Sequence, residues 1–200
     1  MFIVLEGPDG AGTTTHSKRL AEVLEGEGRV VVLTAEPSDG PIGTEIRAAL
    51  KSGKTFSPDL LQKRFTEDRA DHLRRIVEPS LRVGKTVICD RYIPSTLTYG
   101  EALGANVKEL KKLNEDFLQP DLTLYLLPPF QTCMERLSRR AERDSLENEA
   151  LQKKVYDAYV KIARNASASA VIDTSESKET VAGKILNFTR EALVKKNAEV

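Results

Sequence analysis

The stretch Phe2-Ile3-Val4-Leu5-Glu6-Gly7-Pro8-Asp9-Gly10-Ala11-Gly12-Thr13-Thr14-Thr15 decides the fold. Four apolar residues in succession, with no polar alternation, predict a strand buried on both faces. A glycine-rich turn follows, then a helical pattern from Thr14 to Glu25 that Gly26-Glu27-Gly28 closes. The same alternation repeats along the chain. Further strands are expected at Val30–Leu33, Thr86–Cys89, Leu122–Leu127 and Ala170–Ile172. Helices are expected at Pro41–Leu50, from Ser57 toward Val77, within Val107–Phe117, and at Thr132–Arg140, Glu147–Asn165 and Lys178–Lys195. Ser57-Pro58-Asp59 is a strong helix start, with an N-cap serine, a first-turn proline and an acid. Pro79 should kink or end that helix.

Strands apolar on both faces and separated by helices require a parallel sheet covered on two sides. With right-handed crossovers this is a doubly wound α/β fold: a parallel five-stranded sheet with helices on both faces, its ligands at the carboxyl ends of the strands. No repeat, low-complexity tract or Pro/Ser-rich linker interrupts the 200 residues, so one domain, 1–200, is expected.

Composition narrows the function. Thirty Lys and Arg balance thirty Asp and Glu, which argues against binding nucleic acid through bulk charge. No apolar run approaches the roughly 20 residues of a membrane span. Met1 to Glu6 lacks a basic n-region, so a secretory signal is not expected. Two cysteines and two histidines are too few for a disulfide framework or a four-ligand zinc site. A soluble, cytoplasmic domain is the expectation.

The glycine loop carries the chemistry. A P-loop reads G-x-x-x-x-G-K-[ST]: glycines let backbone N–H groups wrap a phosphate, and the helix N-terminus adds partial positive charge. Gly7 and Gly12 keep that spacing and Thr14 holds the magnesium-ligand position, but Thr13 stands at the lysine position. A second element, Thr86 to Tyr92, ends an apolar strand in Asp90, placed to hold magnesium or its waters, with Arg91 beside it to clamp a phosphate. Alone, Asp90 and Arg91 would read as a local surface pair. Next to a P-loop they read as phosphate chemistry. A third element is the run of Arg136, Arg139, Arg140 and Arg143, whose offsets of three, four and seven fit one helical face. A fourth is Leu61, Phe65 and Arg69, which share a helical face at i, i+4 and i+8.

In this order and spacing the four elements resemble the thymidylate kinase family, P-loop nucleoside monophosphate kinases that phosphorylate dTMP with ATP. The resemblance covers nearly the whole chain. It rests on Glu6 to Gly12 with Thr14-Thr15, on Glu36-Pro37, and on Ile42 to Arg47. Phe65-Thr66-Glu67-Asp68-Arg69 and Cys89-Asp90-Arg91-Tyr92-Ile93-Pro94-Ser95 with Tyr99 complete it, and these are its most specific parts. The resemblance implies dTMP phosphorylation in dTTP synthesis, with ATP as donor and magnesium as cofactor. It implies ATP phosphates on Gly7, Pro8, Asp9, Gly10, Ala11, Gly12, Thr13, Thr14 and Thr15, and Mg2+ near Thr14 and Asp90. It implies dTMP on Asp9, Phe65, Arg69, Arg91, Ser95, Thr96 and Tyr99, with Phe65 stacked on thymine and Tyr99 under the sugar. A lid around 136–147 would bring Arg139, Arg140 and Arg143 to the phosphates, with Arg140 on ATP. Asp9, Arg91, Arg139 and Arg143 would be catalytic, and Ile172 to Ser175 would lie near adenine. A homodimer is implied, with no nucleic acid or membrane partner. Gly100 and Ala35 depart from common family residues and leave open a kinase for another deoxynucleoside monophosphate. Thr13 leaves open a non-catalytic nucleotide-binding relative.

Overall fold

The computed structural model describes residues 1–53, 56–140 and 145–198. Five strands, β1 (Phe2–Glu6), β2 (Val31–Ala35), β3 (Thr86–Asp90), β4 (Leu122–Leu126) and β5 (Ser169–Ile172), form one sheet in the order β2-β3-β1-β4-β5. Every pairing is parallel, as strands joined through helices require. β1 lies at the centre, between β3 and β4, so the loop leaving it opens into the crevice where the strand order reverses.

The central strand is apolar on both faces because both are covered. Ile3 and Leu5 pack with Leu20 and Leu24 of α1 (Thr13–Gly26) and with Val181 and Ile185 of α9 (Lys178–Ala198). Phe2 and Val4 point the other way, against Leu73, Val77 and Tyr92. The two-residue period of a strand thus divides one run of apolar residues between two cores.

The remaining helices among the described residues are α2 (Pro41–Lys51), α3 (Pro58–His72), α4 (Glu78–Arg82), α5 (Ile93–Leu103), α6 (Val107–Asn114), α7 (Phe130–Ser138) and α8 (Glu149–Ala163). Three differ from expectation. The Ser57 helix does not stop before Pro79; it passes through a π-turn, Leu73–Val77, and stays helical to Arg82. Pro79 has no N–H to give the preceding turn, and a widened turn tolerates that loss. Helix α5 has no counterpart in the periodicity, because Pro94, three threonine or serine residues and Gly100 give it poor intrinsic propensity. Its start is compatible with Pro94 in the first turn, and Gly104 at φ 85 ends it in the left-handed conformation. Helix α7 ends at Ser138, so Arg139 and Arg140 lie beyond it and do not continue the helical face of Arg136; Arg143, the fourth residue of the expected face, lies outside the described residues.

The entry to α2 is packed backbone against backbone. A Cβ at Gly43 would lie 2.0 Å from the Ser38 carbonyl oxygen, and the Ser38 N–H and hydroxyl are both held by Asp68 at 2.6 Å. Gly43→Ala is therefore expected to lower stability by about 1–3 kcal/mol in urea unfolding. Gly26→Ala, with nothing within 4 Å of the new Cβ, is expected to leave stability unchanged or raise it by up to about 1 kcal/mol. Equal effects of the two would contradict this packing.

Candidate active site

The loop after β1 turns because two of its glycines take left-handed conformations that other residues adopt only at a cost. Gly10 sits at φ +82 with its Cα so close to α7 that a Cβ would be 2.5 Å from the Cys133 carbonyl oxygen. Gly12, at φ +95, caps α1 in the left-handed region. The outer side of the loop is clamped. Arg136 donates to the Gly10 carbonyl at 3.1 Å and to the Thr174 carbonyl at 2.6 Å, while the Thr174 hydroxyl donates to the Ala11 carbonyl at 2.7 Å. The Ala11 N–H is used within the turn, on the Pro8 carbonyl at 3.1 Å; N–H groups of a glycine loop at a helix N-terminus that are not so used can donate to a phosphate. Arg136 is thus a brace behind the loop rather than a cation grouped with Arg139 and Arg140. It also brings the Asp173-Thr174 segment against the loop.

The Thr14 hydroxyl donates to Asp90 Oδ2 at the carboxyl end of β3, and Asp90 Oδ1 is buried without a partner among the described residues. Asp90 and Arg91 do not pair with each other. Arg91 instead crosses to the loop: it donates to Asp9 Oδ1 at 2.6 Å and to the Gly7 carbonyl at 2.9 Å. Its backbone is held at φ 74, a left-handed conformation that costs a residue with a Cβ about 1–2 kcal/mol. The other Asp9 oxygen accepts from Tyr99 at 2.6 Å and Gln152 at 2.7 Å. Burial, and next the Asp9 carboxylate, push the Tyr99 hydroxyl well above its ordinary pKa, so it remains a donor.

One cleft of about 530 Å³ brings Asp9, Phe65, Arg69, Arg91, Ser95, Thr96 and Tyr99 together. At its inner end Arg69, 1% exposed, forms a buried ion pair with Glu36 at 2.7 Å and donates to Asn114 and Thr96. Glu36 also faces His72 Nδ1 at 3.1 Å. Phe65 lines the cleft beside Arg69, whereas Leu61 turns into the apolar cluster of Ile46 and Leu50. Arg139 is exposed, just past the last residue of α7. Arg140 pairs with Glu147 at 2.6 Å, and Arg143 lies outside the described residues.

A model of the family described as thymidylate kinase matches residues 5–185. Similar proteins include a probable thymidylate kinase of Thermococcus kodakarensis, 38% identical over 195 residues, which cover 93% of this chain and 95% of that protein. A thymidylate kinase of a Synechococcus species is 35% identical over 201 residues, 97% of each chain. One of Exiguobacterium sibiricum is 31% identical over 189 residues, 90% of this chain and 89% of its own. The chain belongs to the thymidylate kinase family. Its doubly wound sheet and glycine loop are those of a P-loop nucleoside monophosphate kinase, an enzyme of nucleotide phosphoryl transfer. Among the described residues no helix is long and apolar enough to cross a membrane.

Three buried polar residues around this cleft, Gln62, Gln152 and Tyr159, are invisible to motif reading, and the motif that contains Glu6 does not reveal its burial or its partners. Gln152 and Tyr159 lie seven apart on α8, in the same buried stripe as Val155 and Ala163. A glutamine within a core-facing stripe was the available signal, since a buried amide needs a partner. Glu6 ends β1 and accepts from the Tyr92 N–H at 2.6 Å and from the Ser95 and Tyr159 hydroxyls at 2.8 Å each. Complete burial pushes its carboxyl up to about 7, from 4.5, against the pull of Arg91 and these donors. A raised carboxyl pKa means the folded state holds the proton more tightly than the unfolded chain, so stability falls as pH rises. Between pH 4.5 and 7 the loss from Glu6 is expected to be on the order of 3 kcal/mol. Urea unfolding across that range should show a pH slope that flattens in Glu6→Gln; equal slopes in both proteins would contradict the assignment.

Proposed function

We propose that this protein transfers the γ-phosphoryl group of ATP to the 5′-phosphate of dTMP, giving ADP and dTDP for dTTP synthesis in the cytoplasm. The observation that carries this reading is the single cleft that gathers Asp9, Phe65, Arg69, Arg91, Ser95, Thr96 and Tyr99 beside the glycine loop. A phosphate oxygen of dTMP attacks the γ-phosphorus, and the bond from that phosphorus to the bridging oxygen breaks, leaving ADP. Little covalent chemistry is asked of the protein, so positioning and charge neutralisation do the work.

In this reading Gly7 to Thr15 hold the ATP phosphates, and Thr14 and Asp90 hold magnesium. The site fits such an ion: a buried, unpartnered carboxylate oxygen and a hydroxyl are hard oxygen ligands. An ion held by Thr14 and Asp90 would supply positive charge to neutralise the phosphates during transfer. Arg91 binds the dTMP phosphate, oriented by Asp9, which also fixes Tyr99 beneath the sugar. Phe65 stacks on thymine, and Arg69 and Thr96 meet its edge, with Ser95 supporting Arg91. Arg139, Arg140 and Arg143 form a lid over ATP; Arg140 must exchange Glu147 for phosphate to take part. Exposed Leu60, Ile76 and Leu113, on the Ser57–Val77 and Val107–Phe117 segments, supply apolar surface for a homodimer.

Thr13, at the position a P-loop gives to lysine, favours one other reading: a nucleotide-binding relative without catalysis. Incubation with ATP, magnesium and a panel of nucleoside monophosphates separates the two. ADP is expected above background with dTMP; no ADP with any acceptor would leave only the second. If a lid arginine replaces the missing charge, Arg139→Ala or Arg143→Ala should lower kcat by about 10²–10³. Thr13→Lys should restore part of that loss in the same background. Full turnover in both arginine variants would contradict the compensation.

A further inference from the structure

Helix α3 turns a face to the cleft that includes one residue with no assigned role. Gln62, Phe65 and Arg69 all line it, at i, i+3 and i+7. Gln62 is fully buried, yet neither its Oε1 nor its Nε2 has a hydrogen-bond partner among the described residues. A buried amide with both ends unpaired carries its desolvation cost unrelieved, which marks a group waiting for a ligand. Packing keeps it there. A Cβ at Gly100 on α5 would lie 3.4 Å from Gln62 Cγ and 2.4 Å from Leu110 Cδ1, so the opposing helix has no room for a side chain at that level.

Its neighbour supplies the second half of the recognition. Arg69 is pinned by Glu36 at 2.7 Å, by Thr96 at 3.1 Å and by Asn114, and its Nε has no partner among the described residues. A guanidinium only donates, whereas an unpaired amide can turn over to present either end. Phe65 adds a flat apolar wall. The matching ligand is a flat ring whose edge has one N–H beside carbonyl oxygens.

We propose that Gln62 is a specificity-determining residue for the acceptor base: its Oε1 accepts the ring N3–H of a pyrimidine-2,4-dione, and its Nε2 donates to the adjoining carbonyl oxygen. This rests on reading the cleft as the acceptor-nucleotide pocket. The amide alone would also suit the amino edge of cytosine. Arg69, a donor only, meets a carbonyl oxygen at the 4-position but faces the cytosine amino group donor to donor, so the pair selects the dione where Arg69 meets that position.

Gln62→Leu, with Gln62→Met as a second unbranched replacement, tests this. The readouts are the melting temperature of the free protein and steady-state kinetics with dTMP and dUMP at saturating ATP and magnesium. Because the amide is unpaired in the free protein, the melting temperature is expected to hold or rise. KM for dTMP is expected to rise about 10–100-fold, with a similar loss for dUMP, which has the same edge. The value of kcat should stay within about threefold, because the contact is made alike before and during transfer. KM within twofold of wild type in a folded variant, or a lower melting temperature with unchanged KM, would overturn the role of Gln62 alone. A wild-type protein that forms no dTDP would overturn the acceptor-pocket reading with it.

Discussion

The ion pair between Arg91 and Asp9, at 2.6 Å with both side chains under one-fifth exposed, joins the two chain segments from which the site is made. Asp9 belongs to the loop after β1, and Arg91 to the turn after β3. Removing either partner would strand a charge in a low-dielectric crevice, a situation that costs far more than the pair itself contributes. Around the pair everything else is held in turn. Arg91 reaches the Gly7 carbonyl, Asp9 takes the hydroxyl of Tyr99 and the amide of Gln152, and Tyr159 links Arg91 to Glu6. The strained backbone of Arg91 persists because its N–H is also donated to the Leu5 carbonyl at 2.9 Å.

A second buried pair, Arg69 with Glu36, repeats the device at the inner end of the cleft. Glu6, Asp9, Glu36 and Asp90 thus crowd the carboxyl edge of three neighbouring strands, faced by two guanidinium groups. The neutral total of thirty cations and thirty anions conceals this polarisation. Such an arrangement stiffens the cleft before any nucleotide arrives, and preorganised charge is what phosphoryl transfer asks of a protein.

How much could be read in advance depended on whether a signal was local. The five strands were legible because each is a short apolar run, and the glycine loop because its spacing is dictated by backbone geometry. The place of Asp90 and Arg91 at the end of an apolar strand was legible, but not the partners they choose: Thr14 lies 76 positions from Asp90, and Asp9 lies 82 from Arg91. Helix α5 escaped because tertiary packing overrides the weak propensity of Ile93 to Gly100. Arg136 fitted an arginine face by spacing, yet α7 stops at Ser138 and the side chain turns back to brace the loop. Gln62 and Gln152 were missed for the same reason: an amide acquires meaning only from what surrounds it.

In the proposed function the cleft is a preformed acceptor site, built by buried ion pairs and not by the donor nucleotide. Calorimetric titration of dTMP into the protein without ATP tests it most directly. Saturable binding at one site per chain is expected, in the absence of ATP and magnesium. No detectable binding of dTMP until ATP is added would contradict the claim, because the site would then be assembled by the donor.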